Sequence, residues 1–265
     1  MHDRMKKGLL VMFAISVFLL LVILNYNYLD DRLTQFLKDY KTAEVLRVID
    51  GDTIVTTDGE HIRLLGINAP ETSSNEPYSL DAKQYLSSLV FNKTVKLETE
   101  GTDLYGRTLA YAFINNTNIN IKLIEAGFAN FYFPTSAKLY YREFSEAWKS
   151  CLDKNINLCR KSNDACVLCI TLEKLDYEDQ EVILHNNCSF SCNLTGWQIK
   201  DEGRKEFNFP NFILQGNTNI TIIVGNKTNT DRVLYWKGYD YIWTSSGDTL
   251  FLRDRNHELV LWKNY

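Results

Sequence analysis

Between residues 44 and 67 the chain reads as short strands punctuated by turns, and that pattern limits the fold more than anything else in the sequence. Residues 44–49 alternate in polarity, Asp50-Gly51 turns the chain, and 53–57 is rich in β-branched residues. Asp58-Gly59 then supplies the positive-φ positions of a tight hairpin, ahead of a strand over 61–67. Residues 79–91 carry Ala82, Leu86, Leu89 and Val90 on one helical face. Strands are expected over 95–100 and 108–114, and a short helix over 119–126 closed by Gly127. A longer helix over 137–153 places Tyr140, Phe144, Ala147, Trp148 and Cys151 together. Three strands, a helix, two strands and two helices are the order of a small five-stranded OB-type barrel.

The N-terminus is of another kind. A basic tip with Lys6 and Lys7 precedes an apolar run over 8–24, near the lower end of the roughly 17–25 residues that span a bilayer. Tyr26 and Tyr28 suit the interfacial belt. No small-x-small cleavage site follows, so 1–28 reads as a cytoplasmic tip and an uncleaved signal-anchor transmembrane helix. A cleaved signal peptide and a secreted chain are the alternative. The flanking lysines put the N-terminus in the cytoplasm and the rest outside, with 29–41 as a polar stalk.

All six cysteines lie in the second half, which for an exported chain suggests disulfides. Cys166-x2-Cys169 with Cys188-x3-Cys192 also approximates a zinc spacing, and connectivity does not follow from spacing alone. Asn92, Asn187, Asn193, Asn219 and Asn226 head Asn-x-Ser/Thr sequons. A formal net charge of −4 argues against tight non-specific binding to a polyanion, though not against a local positive site.

Three blocks carry chemistry. They are Arg47-Val48-Ile49-Asp50-Gly51-Asp52-Thr53, then Arg63-Leu64-Leu65-Gly66-Ile67-Asn68-Ala69-Pro70-Glu71-Thr72, then Asp103-Leu104-Tyr105-Gly106-Arg107. Two arginines, a glutamate and an acidic pair are the parts needed to hydrolyse a phosphodiester. A carboxylate holds a cation, a second activates water, and guanidinium forks hold the phosphate as its charge rises. Asp50-Gly51-Asp52 taken alone is a turn. Together, the three blocks resemble the staphylococcal nuclease (thermonuclease) family over about 42–157, and that family has the OB fold.

The resemblance implies roles. Asp52 matches a calcium ligand, and Asn68 and Ala69 stand where relatives have an aspartate ligand and a threonine that binds through its carbonyl. Asn68 removes one negative charge, so calcium affinity is expected to fall and another divalent cation becomes an alternative. Glu71, after Pro70, matches the general base; Arg63 and Arg107 match the arginines that grip the scissile phosphate. Asp50 is placed behind Asp52, orienting metal-bound water, and Asp103 beside Arg107. Tyr105 is a candidate for stacking on a base or sugar, with a buried barrel tyrosine as its alternative.

Beyond Asn163-Asp164 short strands recur over 167–172, 181–185, 196–200, 219–224, 249–253 and 259–262, the pattern of a β-sandwich. Leu184-His185-Asn186-Asn187, Leu194-Thr195-Gly196-Trp197-Gln198-Ile199-Lys200-Asp201, Phe207-Asn208-Phe209-Pro210 and Gly247-Asp248-Thr249-Leu250-Phe251-Leu252-Arg253-Asp254 resemble the lamin-tail domain, an immunoglobulin-like module. Its tryptophans 197, 236, 243 and 262 are expected to pack the sandwich, and Arg204, Lys205 and Lys227 read as scattered charges.

The fold class is therefore mainly β with α. A transmembrane helix and stalk precede an OB-fold nuclease domain over 42–162 and an immunoglobulin-like β-sandwich over 163–265. The expected function is an outward-facing, metal-dependent nuclease acting on DNA and RNA and leaving 3′-phosphate ends, with calcium as cofactor. The membrane and a cell-surface ligand of the sandwich are its other partners, and nothing points to an oligomer. Two rivals remain. One is a nucleic-acid or protein-binding module that has lost catalysis, for which Asn68 speaks. The other is a surface structural protein led by the sandwich.

Overall fold

A computed structural model describes residues 40–132 and 140–265, together with scattered positions between 12 and 26. The transmembrane helix expected over 8–24 falls in part outside the described residues. Among the described residues, no helix is long and apolar enough to cross a membrane. Residues 1–41 and 42–265 are separate compact units.

The barrel forms where the turns demanded it. Its strands are β1 (Lys41–Asp50), β2 (Thr53–Thr56), β3 (His61–Leu64), β4 (Ile67–Asn68), β5 (Thr94–Thr102), β6 (Thr108–Ile114) and β7 (Thr117–Asn118). The sheet order is β3-β2-β1-β5-β6-β7, and β3 also pairs with β6 in parallel, with Arg63 opposite Leu109. That extra ladder closes five strands into a barrel and removes their open edges. Register shifts in β1, between Val45 and Arg47 and between Val48 and Asp50, let a ten-residue strand bend round the closure. Val45, Ile54, Ile62, Leu97 and Ala112 fill the interior with no exposure. Each large apolar side chain so buried contributes about 1.5–3 kcal/mol.

Among the described residues three helices cover the barrel: Ser79–Val90, Ile119–Glu125 and Tyr141–Lys154. Asn118 caps the second by accepting from Ile121 N at 3.2 Å. The third was expected from residue 137; its described part begins at Tyr141, and 133–139 lie outside the described residues. It ends at Asn155, whose left-handed backbone lets its N–H return to Cys151 O. The strand expected over 61–67 breaks at the Leu65-Gly66 turn, so Asn68 sits on β4, which pairs with β8 (Asn130–Phe131).

The 3-10 turn Asn157–Cys159 ends the first half, and the second half is all β. Its strands are β9 (Ile170–Asp176), β10 (Glu181–Asn186), β11 (Cys192–Asn193), β12 (Gln198–Lys200), β13 (Glu206–Asn208), β14 (Ile213–Leu214), β15 (Asn219–Val224), β16 (Val233–Trp236), β17 (Thr249–Arg253) and β18 (Leu259–Asn264). Two four-stranded sheets, β16-β15-β10-β9 and β13-β12-β17-β18, enclose Trp197, Trp236 and Trp243. Trp262 departs from expectation. It packs edge-on against Trp148 of the barrel's last helix at 5.9 Å, and Phe251 meets the same indole at 5.7 Å. The barrel core therefore runs on into the second half through Phe251 and Leu259. All six cysteines form disulfides, Cys151–Cys159, Cys166–Cys192 and Cys169–Cys188, which sets the zinc alternative aside.

Candidate active site

The three sequence blocks meet at one rim of the barrel because of strand register. Asp50 ends β1 and Asp52 starts the return into β2. The β2–β3 ladder sets Thr53 opposite Arg63, and the β3–β6 closure brings the turn 103–107 alongside. Gly51 is required here by close approach. A Cβ at that position would stand 2.6 Å from the Ala69 Cβ and 2.7 Å from the Ala82 Cβ. The same crowding accounts for a small residue at 69.

Asp52 is 1% exposed and fully engaged. Its Oδ1 accepts from Thr53 Oγ1 at 3.0 Å, and its Oδ2 accepts from Ala69 N at 2.8 Å and lies 3.1 Å from Arg63 Nη2. Arg63 is also buried. Its Nη1 donates to the carbonyls of Leu64 and Ile67, and its Nη2 donates to Asn68 Oδ1 at 3.0 Å. The guanidinium thus stands between the two side chains expected to hold a metal. Asp50 Oδ1 accepts from Asp52 N at 3.1 Å. Burial, and then the negative charge of Asp52, push the Asp50 pKa up to about 6.

On the opposite side, Asp103 organises its turn. Oδ1 accepts from Tyr105 N and Arg107 N, and Oδ2 accepts from Arg107 Nε at 2.7 Å. Burial works to raise the Asp103 pKa, but the bonds from Arg107 and Tyr105 outweigh it and hold the carboxyl below its ordinary value. Tyr105 is 82% exposed, which rules out the buried barrel tyrosine, and the Arg107 guanidinium lies 5.5 Å from its ring centre.

Between these groups lies a cavity of about 420 Å3 lined by Arg63, Asn68, Asp103, Tyr105, Arg107 and Tyr132, among others. Asp52 and Glu71 do not line it. Asp52 lies behind Arg63, and Glu71 follows Pro70 at the start of the 3-10 turn Thr72–Ser74. Among the described residues no group of three or more His, Cys, Asp or Glu is placed to hold a metal ion. The donors at Asp52, Asn68 and the Ala69 carbonyl are hard oxygens of the kind a divalent cation takes.

Sequence reasoning missed the residues that complete the wall. Gly203 and Arg204, from the loop between β12 and β13, line the same cavity. Arg204, read as a scattered charge, has its Nη2 2.5 Å from Glu71 Oε1. Asn68 Nδ2 donates to Gly203 O at 2.6 Å across 135 residues of chain. Close by, Lys200 Nζ meets Glu76 Oε2 at 2.7 Å. No local pattern in the sequence signals any of these contacts.

Residues 61–160 match the family described as Staphylococcal nuclease homologue, and residues 161–265 match the Lamin Tail Domain. A thermonuclease of Staphylococcus intermedius is 37% identical over 123 residues, which is 43% of this chain and 73% of that protein. A thermonuclease of Staphylococcus hyicus is 35% identical over 127 residues, 44% of this chain and 75% of that protein. An uncharacterized endonuclease of Haemophilus influenzae is 36% identical over 96 residues, 35% of this chain and 53% of that protein.

Proposed function

The chain belongs to the staphylococcal nuclease homologue family and is a nuclease of the hydrolase class, and from that premise we propose how it acts and where. Its substrates are DNA and RNA strands, bound at the cavity between Arg63 and Arg107. The observation that carries this reading is the parallel β3–β6 ladder, which seats two guanidinium-bearing segments on one rim.

Arg63 and Arg107 grip the scissile phosphate. A planar fork that stays charged is suited to an oxyanion whose charge rises in the transition state. Glu71 takes the proton of the attacking water, and its place after Pro70 limits how far the backbone can carry it. Asp103 fixes the Arg107 guanidinium through Nε and leaves both terminal nitrogens for phosphate. Tyr105, exposed at the rim, offers a flat face to a base. Asp52, with Asn68 Oδ1 and the Ala69 carbonyl, would hold a divalent cation, calcium in our reading, and Asp50 would orient water beside it. When bound, that cation supplies Lewis-acid stabilisation of the developing charge. The bond broken is the one to the 5′ oxygen, leaving 3′-phosphate ends.

We place the enzyme outside the cell, held to the membrane by the segment over 8–24. Three disulfides support an oxidising compartment. The sandwich presents the nuclease at the surface and is free to bind a surface ligand. One observation favours a binding module without catalysis: both atoms of the Asn68 carboxamide are engaged within the protein.

Incubating the full chain, in detergent, with single-stranded DNA over a calcium series separates these readings. Degradation that a chelator stops and Glu71→Gln abolishes is expected. Inert wild type with calcium, magnesium and manganese would leave the binding module as the better account.

A further inference from the structure

The loop over 201–205 is held against the barrel at several points. At its start Lys200 Nζ pairs with Glu76 of the barrel at 2.7 Å and with Glu206 at 3.0 Å. Within the loop, Asp201 Oδ1 accepts from Lys205 N at 2.9 Å and closes the turn. At its tip the Gly203 carbonyl takes the Asn68 amide at 2.6 Å.

Asn68 is anchored on both sides of its amide. Its Oδ1 faces a guanidinium donor and its Nδ2 faces a carbonyl acceptor, and only this orientation of the amide satisfies both. A carboxylate there has no N–H to give and would set a negative charge against the Gly203 oxygen. The amide thus suits a partner that only the second half of the chain supplies.

Arg204 follows directly. Its side chain is half exposed, lines the cavity, and reaches the much less exposed Glu71 with one terminal nitrogen on one carboxylate oxygen. That contact leaves the second oxygen of Glu71 for water. A general base must sit within about 2.6–3.2 Å of the proton it removes, and a displacement of about 1 Å can cost on the order of 100-fold in rate. Glu71 stands at the start of the Thr72–Ser74 turn, and Arg204 is the ionic partner of its side chain.

We propose that Arg204 is a positioning residue of the nuclease site, supplied by the second half of the chain. It holds the Glu71 carboxylate, and the Asn68–Gly203 bond holds the loop that carries it. The proposal rests on the reading of Glu71 as the base.

The test compares steady-state cleavage of single-stranded DNA by the full chain, Arg204→Ala, Arg204→Lys and Glu71→Gln, each checked by thermal melting. Arg204→Ala should keep its melting temperature within about 2 °C, because a half-exposed ion pair contributes little to stability. Its kcat should fall about tenfold while KM moves less than about threefold, and Arg204→Lys should recover part of kcat. A contact with no part in positioning would leave kcat unchanged whatever the melting temperature does. An unchanged or raised kcat in Arg204→Ala overturns the positioning role, the raised value marking the contact as a brake. Active wild type with inert Glu71→Gln keeps the nuclease reading intact in either case. Inert wild type sinks that reading and this proposal with it.

Discussion

Arg63 Nη2 joins Asp52 to Asn68, lying 3.1 Å from the carboxylate Oδ2 of one and 3.0 Å from the carboxamide oxygen of the other. Removing the guanidinium leaves a carboxylate that is 1% exposed with no ionic partner. Breaking one side of a buried pair typically costs about 3–5 kcal/mol. Arg63→Ala is therefore expected to lose activity and to lower the unfolding free energy by about that amount in guanidinium titrations. A stability change under about 1 kcal/mol would show that the pair is not load-sharing in the folded state.

Gly51 gives a test with no charge involved. An added methyl must displace Ala69 and Ala82, both packed in the core. Gly51→Ala should cost about 1–3 kcal/mol of stability by overpacking, and it should disturb the Asp52 turn as well. Pairing it with Ala69→Gly should restore part of the loss, read by thermal melting.

Adding a charge to the site should strengthen cation binding. Asn68→Asp is expected to lower the calcium concentration for half-maximal activity by about tenfold, since calcium affinity follows ligand charge. The same change removes the donor to Gly203 O. Calcium titration of activity checks the first effect, and protease nicking near residue 203 checks the second.

Acid should stabilise the second half. Burial, with Asp248 beside it, pushes the Glu202 pKa up to about 8; burial and Asp201 push Asp248 up to about 7. The folded state therefore binds more protons than the unfolded chain between ordinary carboxyl values and about pH 8. Stability from these groups is complete at low pH and falls as pH rises through that window. A loss of several kcal/mol, up to about 6 if both shifts act in full, is expected between pH 5 and pH 8, and Glu202→Gln should flatten the slope. Denaturant melts across pH decide it.

Reducing agent should act on the sandwich first. Cys166–Cys192 and Cys169–Cys188 both tie the start of the second half to the segment around β11. Losing a disulfide of this kind typically costs about 2–4 kcal/mol. Serine replacement of Cys169 and Cys188 together should lower the melting temperature in non-reducing buffer.

The barrel was legible because its signals are local. Alternation, two Asp-Gly turns and a helical face each lie within a dozen or so residues, and strand order follows from them. Strands β11, β13, β14 and β16 were not read, since two to four residues offer no period. Trp262 was assigned to the sandwich because its strand is there; its partner Trp148 lies on a helix of the barrel. In the site, Arg63, Asn68, Asp103, Tyr105 and Arg107 do meet round one cavity. Arg204 was invisible for a physical reason: its contact depends on how two packed halves dock, and no pattern near residue 204 encodes that.

The hydrogen bond from Asn68 to Gly203 also sets an order of events during synthesis. Chain growth is vectorial, and domains that emerge first can fold first. A ribosome-bound chain extended only through the barrel already carries Arg63, Glu71 and Arg107, yet the loop that walls their cavity has not been made. The finished site is thus acquired only after the barrel has been made, and a product terminated before residue 201 would carry an open-sided version of it.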